Sequence, residues 1–182
     1  AVSQGSNPSP RYFGKYRGVV KDNADPKHRG RLKVLVPAVL GDVRLWAMPC
    51  VPFAGNKVGL YCLPEKEDGV WVEFEGGDPS YPIWTGCYWA HDELPHERGP
   101  EERVLETNEL VVRLVSGDEP RIVIEIKEGA NLTLDGEHVQ TLVGETSLLI
   151  DTGTITAEAA GGAKVELSGA TTSVNQGALE VE

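Results

Sequence analysis

The eight residues Gly129–Gly136, GANLTLDG, carry the pattern that decides how the second half of this chain folds. A short alternating piece, Leu132-Thr-Leu134, is closed by a polar residue and a glycine. The same apolar-x-Leu-polar-Gly order returns at Val165-Glu-Leu-Ser-Gly169. Glycines fall at 129, 136, 144, 153, 161, 169 and 177, with spacings of 7, 8, 9, 8, 8 and 8 residues. Between them lie Leu148-Leu-Ile150, Thr154-Ile-Thr156 and Ala178-Leu-Glu-Val181. Such a period supplies one short strand and one turn, and glycine tolerates the positive φ or close approach that a turn needs. A single strand of this kind cannot bury its apolar edge, so units must stack or chains must combine. Three intertwined copies would enclose a continuous Val/Ile/Leu core and leave Thr, Glu and Ser outside. The competing readings are a low-complexity surface tail and a second small β-sandwich.

Working upstream, TNELVVRLVSGDEPRIVIEIKEG (107–129) offers two strands around the turn Gly117-Asp-Glu-Pro120, with Val111, Leu114, Ile122, Ile124 and Ile126 as its apolar face. The candidate core of a trimer is Ile122, Ile124, Leu132, Leu134, Val165, Leu167 and Val181. Before this region, HDELPHERGPEER (91–103) reads as a charged, solvated linker.

The chain changes character at this linker. Residues 1–90 carry 11 Lys+Arg and 9 Asp+Glu, a net of +2, whereas residues 91–182 carry 6 and 19, a net of −13. All twelve aromatic residues lie at or before Trp89, as do the three cysteines, Cys50, Cys62 and Cys87. A segment without Phe, Tyr or Trp lacks the side chains that dominate most globular cores, so two architectures are joined here. The total charge of −11 argues against bulk electrostatic coating of nucleic acid or anionic membrane. The odd cysteine count without CxxC spacing argues against a disulfide framework or a cysteine zinc site, and free thiols fit folding in a reducing compartment such as the cytoplasm. No apolar run reaches the ~18 residues of a membrane-spanning helix, and the polar start AVSQGSNPSP does not read as a signal peptide.

The first half reads as strands punctuated by Gly and Pro. Residues 1–13 form a flexible leader. Residues 14–90 hold the candidate strands KYRGVVKD (15–22), RLKVLVPAV (31–39), VRLWAMP (43–49), KVGLYCL (57–63), GVWVEFEG (69–76) and YPIWTGCYW (81–89). Leu32, Val34 and Val36 share one face, as do Val70, Val72 and Phe74. Five or six strands in so short a span fit a small barrel, of which the OB-type Greek key is the commonest. The fold class is therefore all-β, an OB-type barrel followed by a fibrous segment over residues 104–182.

Candidate chemistry is sparse. His91 and His96 with Asp92, Glu93 and Glu97 suit no helix face, and Pro95 between them argues for a loop and not a metal site. Glu73 and Glu75 alternate on one strand at ~7 Å, not far from hydrolase carboxylate separations, but read as the solvated face of a barrel. No nucleophile elbow or phosphate-cradling glycine loop is present, and Gly76-Gly77-Asp78-Pro79 is a turn. No catalytic, metal or cofactor residue is assigned. Trp46, Trp71, Trp84 and Trp89 with Lys15, Arg17, Lys27, Arg29, Arg31 and Lys33 would furnish a base-stacking groove, although the small net charge of the barrel favours packing roles for the tryptophans.

The series Asp25-Pro-Lys-His-Arg-Gly-Arg31-Leu-Lys-Val-Leu-Val-Pro37, Trp46-Ala-Met-Pro49, Val51-Pro-Phe-Ala-Gly55, Leu63-Pro-Glu65, Gly69-Val-Trp-Val-Glu-Phe-Glu-Gly-Gly-Asp-Pro79 and Pro82-Ile-Trp-Thr-Gly86 resembles, in order, the OB-fold domain of contractile-tail spike proteins. That family includes phage baseplate assembly protein V and the valine-glycine-repeat spikes of type VI secretion. The resemblance implies a non-enzymatic homotrimer that pierces a target-cell envelope when a sheath contracts, within a phage tail, a tailocin or a related extracellular or cytoplasmic particle. It implies a separate trimeric hub protein at the barrel end, because only about 13 residues precede the barrel, with Lys15, Arg17, Arg29 and Arg31 as a hub-facing basic group. It also implies a PAAR-type tip protein at the other end, because no His-x-His apex is present. No lysozyme domain sits between barrel and needle. No nucleic-acid partner is expected. The alternatives are an envelope-polymer-degrading tail protein and an oligonucleotide-binding module. The resemblance also implies that residues 104–182 form a trimeric β-helix or β-prism needle; triple-stranded helix and prism of three faces both remain open.

Overall fold

Strict alternation in the first half produces strands with one buried and one outer face. The computed structural model describes residues 10–94, 99–175 and 179–181, and the chain divides into two units, Ala1–Leu94 and Pro95–Glu182. In the first, β1 (Tyr16–Asp22), β2 (Leu32–Leu35), β3 (Arg44–Pro49), β6 (Gly69–Phe74) and β7 (Pro82–Cys87) form a closed barrel in the order β1-β2-β3-β7-β6. The pair β3–β7 is parallel, through Met48↔Ile83 and Pro49↔Trp84, and the other pairs are antiparallel. A single turn, α1 (Pro37–Leu40), joins β2 to β3.

The core consists of Val20, Leu32, Val34, Val36, Ala47, Val70, Val72, Phe74 and Trp84. Both expected inward triplets, Leu32/Val34/Val36 and Val70/Val72/Phe74, lie within it. Gly18 permits closure, because a Cβ there would stand 3.0 Å from Val72 Cγ2 and 3.2 Å from the Leu35 carbonyl.

The expected strand over 57–63 is not a barrel element. Only β5 (Val58–Gly59) pairs, with β4 (Ala54–Gly55), in a hairpin whose side chains are exposed. Five strands already close the barrel, so no ladder position remains for a sixth. The described end of the expected leader, residues 10–13, is held to the barrel: the Tyr12 amide donates to the Gly77 carbonyl at 2.9 Å, and the Tyr12 ring packs with Tyr16 and Phe74.

The second unit is a ten-stranded antiparallel meander: β8 (Glu102–Glu106), β9 (Leu110–Val115), β10 (Arg121–Ile126), β11 (Asn131–Leu134), β12 (Val139–Val143), β13 (Thr146–Ile150), β14 (Thr154–Glu158), β15 (Lys164–Ser168), β16 (Thr171–Val174) and β17 (Leu179–Val181). Each strand pairs with its neighbours in sequence. Glu102 and Arg103, read as linker, begin the first strand. The described octad glycines mark turns but do not all serve one purpose; Gly177 lies outside the described residues. Gly144 and Gly169 take φ of +59°. Gly136 and Gly153 have ordinary φ and open space where a Cβ would stand. In the turn after β10 it is Glu128, not Gly129, that takes positive φ.

Candidate functional site

Side chains alternate across a strand, and directly opposed residues of a ladder share a face. Following the register from β9 to β17 therefore sorts the second unit into two faces. Leu114 opposes Ile122, which opposes Leu134, which opposes Val139. Val139 opposes Ile150, Ile150 opposes Ile155, and Ile155 opposes Leu167. Ile124, Leu132 and Val165 fall on the same face, and Val181 joins it through Thr172. All seven candidate core positions thus share one face, although the side chain of Val181 lies outside the described residues. Val111, grouped with them in the sequence, sits on the opposite face and is buried. Its parity differs from that of Leu114 on the same strand, so the two cannot point the same way.

Exposure on this sheet runs opposite to chemistry. Every large hydrophobic of residues 99–175 that is exposed, thirteen in all from Leu105 to Leu167, lies on this single face, each keeping between 37% and 60% of its surface in water. The other face is mixed: Glu102, Arg113, Glu125, Thr133, Gln140, Thr156, Lys164, Glu166 and Ser173 share it with Val104, Val111, Val115, Val123, Leu142 and Leu149, which are buried or half-buried. Several of the charged side chains are paired in plane: Lys164 Nζ lies 2.6 Å from Glu166, and Lys127 Nζ lies 2.9 Å from Glu106. Thirteen half-exposed Leu, Ile and Val side chains leave on the order of 1,000 Å² of apolar surface on one side, well above the few hundred Å² that a soluble monomer normally tolerates.

The turns on one edge of this sheet are set by aspartates. Asp135 accepts the Glu137 and His138 amides at 2.9 and 2.7 Å, and Asp151 accepts the Gly153 and Thr154 amides at 3.0 and 2.9 Å. These amides hold both carboxyls below their ordinary range, with burial opposing.

On the barrel, the expected basic group separates into unlike members. Arg31 is not a surface cation. Its Nη2 donates to Asp25 Oδ1 at 2.6 Å and its Nε to both carboxylate oxygens at 3.1 Å. Asp25, the buried charged residue of the described core, also accepts the Lys27 and Arg29 amides at 3.0 and 2.8 Å. The Arg31 guanidinium holds the Asp25 carboxyl far below the usual carboxylate range; burial opposes this and the loop amides reinforce it. The clamp folds residues 22–31, with His28 at φ +51°, and brings the Gly30 carbonyl to Trp84 Nε1 at 3.2 Å. Arg29 is exposed at the tip of this loop. Arg17 lies over the Trp71 and Tyr88 rings at 5.8 and 5.2 Å, and Lys15 pairs with Glu73 at 2.7 Å. No sequence motif for ion pairs would have singled out Asp25–Arg31; the signal was the turn-rich Asp-Pro…Gly-Arg segment itself.

The tryptophans do not line a common platform. Trp84 is in the barrel core, Trp46 lies under Arg31 and Lys33, Trp71 stacks on Tyr88, and Trp89 is exposed. Glu73 is tied to Lys15, while Glu75 belongs to the turn Glu75–Gly77 beyond the strand. His91 contacts Asp92 at 2.6 Å on the surface; His96 and Glu97 lie outside the described residues. Among the described residues, no group of three His, Cys, Asp or Glu is placed to hold a metal ion, and no helix is long and apolar enough to cross a membrane.

Residues 16–89 match the family model of the type VI secretion system/phage-baseplate injector OB domain. The matched range begins at β1 and ends just past β7, so it covers the closed barrel. No curated protein matches the chain.

Proposed function

We propose, from the membership of this barrel in the type VI secretion system/phage-baseplate injector OB-domain family, that the chain is the central spike of a contractile injection particle. Three copies form a collar of barrels and a single needle, and the action is mechanical: contraction of a sheath drives the needle into a target-cell envelope. The observation that carries this reading is the apolar face of the meander that follows an injector-type barrel in the sequence. A sheet with that much exposed Leu, Ile and Val needs partners, and the face is regular along its whole length, as the axis of a needle requires. The mixed face, with its excess of acidic residues, stays in water and keeps needles from aggregating. In this reading a separate hub protein meets the barrel, where Lys15, Arg17 and Arg29 of the basic group are exposed, and a small tip protein caps the far end. The particle is a phage tail, a tailocin or a related injection system.

The test is the solution mass of the purified chain by light scattering, with and without detergent. A mass of three chains that survives detergent at room temperature is the expected result. A monomer of 19.7 kDa would sink the spike reading.

A further inference from the structure

We propose that Cys62 and Cys87 are a redox pair: oxidation joins them in a disulfide that staples residues 61–68 across the mouth of the barrel. This inference stands on the first unit alone and does not depend on the spike reading.

The topology brings the two cysteines to the same end of the barrel. Cys87 is the last residue of β7 and opposes Val70 in the ladder with β6. Opposed residues share a face, and Val70 is buried in the core. Cys87 therefore stands on the inner face at the rim, where it is exposed. Residues 61–68 form a strap that crosses this end. At its start, a Cβ on Gly30 would stand 3.8 Å from Tyr61 Cε2. Leu63 packs against the core. The Pro64 carbonyl accepts Asn23 Nδ2 at 3.0 Å, the Glu67 amide donates to the Val20 carbonyl at 2.8 Å, and the Val20 amide donates to the Asp68 carbonyl at 3.0 Å. Asp68 leads directly into β6, whose first residue, Gly69, accepts the Tyr88 amide at 3.2 Å. Cys62 thus passes the rim between anchored points, and it too is exposed. The Cys87 thiol registers the approach: burial first, then the Asp68 carboxylate, then the charge of Cys62 push it above the ordinary thiol range.

The step needs a two-electron oxidant, and a small disulfide supplies it. One protein thiolate attacks the S–S bond of the oxidant and releases one small thiol. The second protein thiolate attacks the mixed disulfide at the protein sulfur, forms the Cys62–Cys87 bond and releases the second small thiol. The protein thiols give up two protons and two electrons, and the oxidant leaves as two thiols. The new bond closes a loop of about 25 residues, which constrains the unfolded chain enough to move the melting temperature of a small domain by several degrees. The strap also continues the hairpin that carries exposed Phe53, Val58 and Leu60, so the staple fixes where that apolar arm is presented.

The test oxidises the full chain with glutathione disulfide at about pH 9, where thiolates form. The chain is then denatured, its free thiols are labelled with a maleimide, and its mass is read. The native chain should take one label in place of three, with the peptides of Cys62 and Cys87 linked to each other. It should run as a single chain in a non-reducing denaturing gel, and dithiothreitol should restore full labelling. The thermal transition of the barrel, followed by tryptophan fluorescence, should rise by about 5 °C or more on oxidation. Cys50→Ser should show the same rise, and Cys62→Ser and Cys87→Ser should show none. Three labels after oxidation would overturn the pair. So would glutathione retained separately on Cys62 and Cys87, or a linkage that runs through Cys50 or between chains. A Cys62–Cys87 linkage with no rise in the transition would overturn the staple.

Discussion

In the barrel, Val20, Leu32, Val34, Val36, Val70 and Val72 have no surface left in water, whereas in the sheet Leu, Ile and Val from the same kind of alternation remain half exposed. The difference is topological. A sheet that closes on itself supplies its own second layer, so period-two alternation alone yields a core. An open meander of the same alternation has one predominantly apolar face, and among the described residues of this unit nothing covers it. The aromatic residues follow this division. Phe74 and Trp84 fill a closed interior, with Tyr12 and Tyr16 packed against it, while the sheet uses β-branched and Leu side chains that repeat from rung to rung.

The largest expected effect tests the apolar face directly. In the proposed trimer, Leu134→Asp or Leu167→Asp would place three carboxylates at one level of the axis, and stripping water from an unpaired charge costs several kcal/mol each. The trimer should be lost by light scattering. Thr133→Asp, one residue away on the mixed face, should leave the mass unchanged, and an equal loss from both would erase the distinction between faces.

The barrel should break elsewhere. Asp25→Asn removes the charge and one of the two acceptor oxygens on which Arg31 and the loop amides converge, so the thermal transition of the barrel should fall while that of the sheet stays in place. Acid should act through the same group. The Asp25 carboxyl is depressed in the folded chain, so its contribution is complete above the unfolded value of ~3.9 and is lost as pH falls below it, when the unfolded chain takes up the proton first. Barrel stability followed by tryptophan fluorescence should therefore decline below about pH 4 in the native chain and decline less in Asp25→Asn. An identical acid profile for both would remove the clamp from the account.

Smaller effects distinguish the glycines of the octads. Gly169→Val forces a β-branched residue into the left-handed region and should destabilise the sheet by about 1–2 kcal/mol. Gly153→Ala meets no neighbour within 4 Å at ordinary φ, and should be neutral or stabilising by about 0.4–1 kcal/mol. Denaturant melts of the two variants that coincide would mean that the glycine period is not set by backbone conformation at either turn.

Much of this was legible in the residues. The inward triplets of the barrel, the break in character near residue 90 and the eight-residue rhythm follow from alternation and composition. Ile122, Ile124, Leu132, Leu134, Val165 and Leu167 could be picked out because they stand at alternating positions of short strands. Other features were hidden. KVGLYCL has strand composition, yet a barrel closed by five strands leaves it outside. Arg31 reads as one of several surface cations until the loop brings Asp25 against it. Val111 looks like part of the apolar face until strand parity puts it on the other side.

The sequence by itself determined the two architectures and the set of apolar positions, because alternation, glycine spacing and the confinement of aromatic residues are properties of local order along the chain. Only the tertiary structure decided how the strands are joined. Which strand closes the barrel, which carboxylate neutralises Arg31, and which strands lie beside KVGLYCL all depend on contacts between residues distant in sequence, and local pattern carries no record of those.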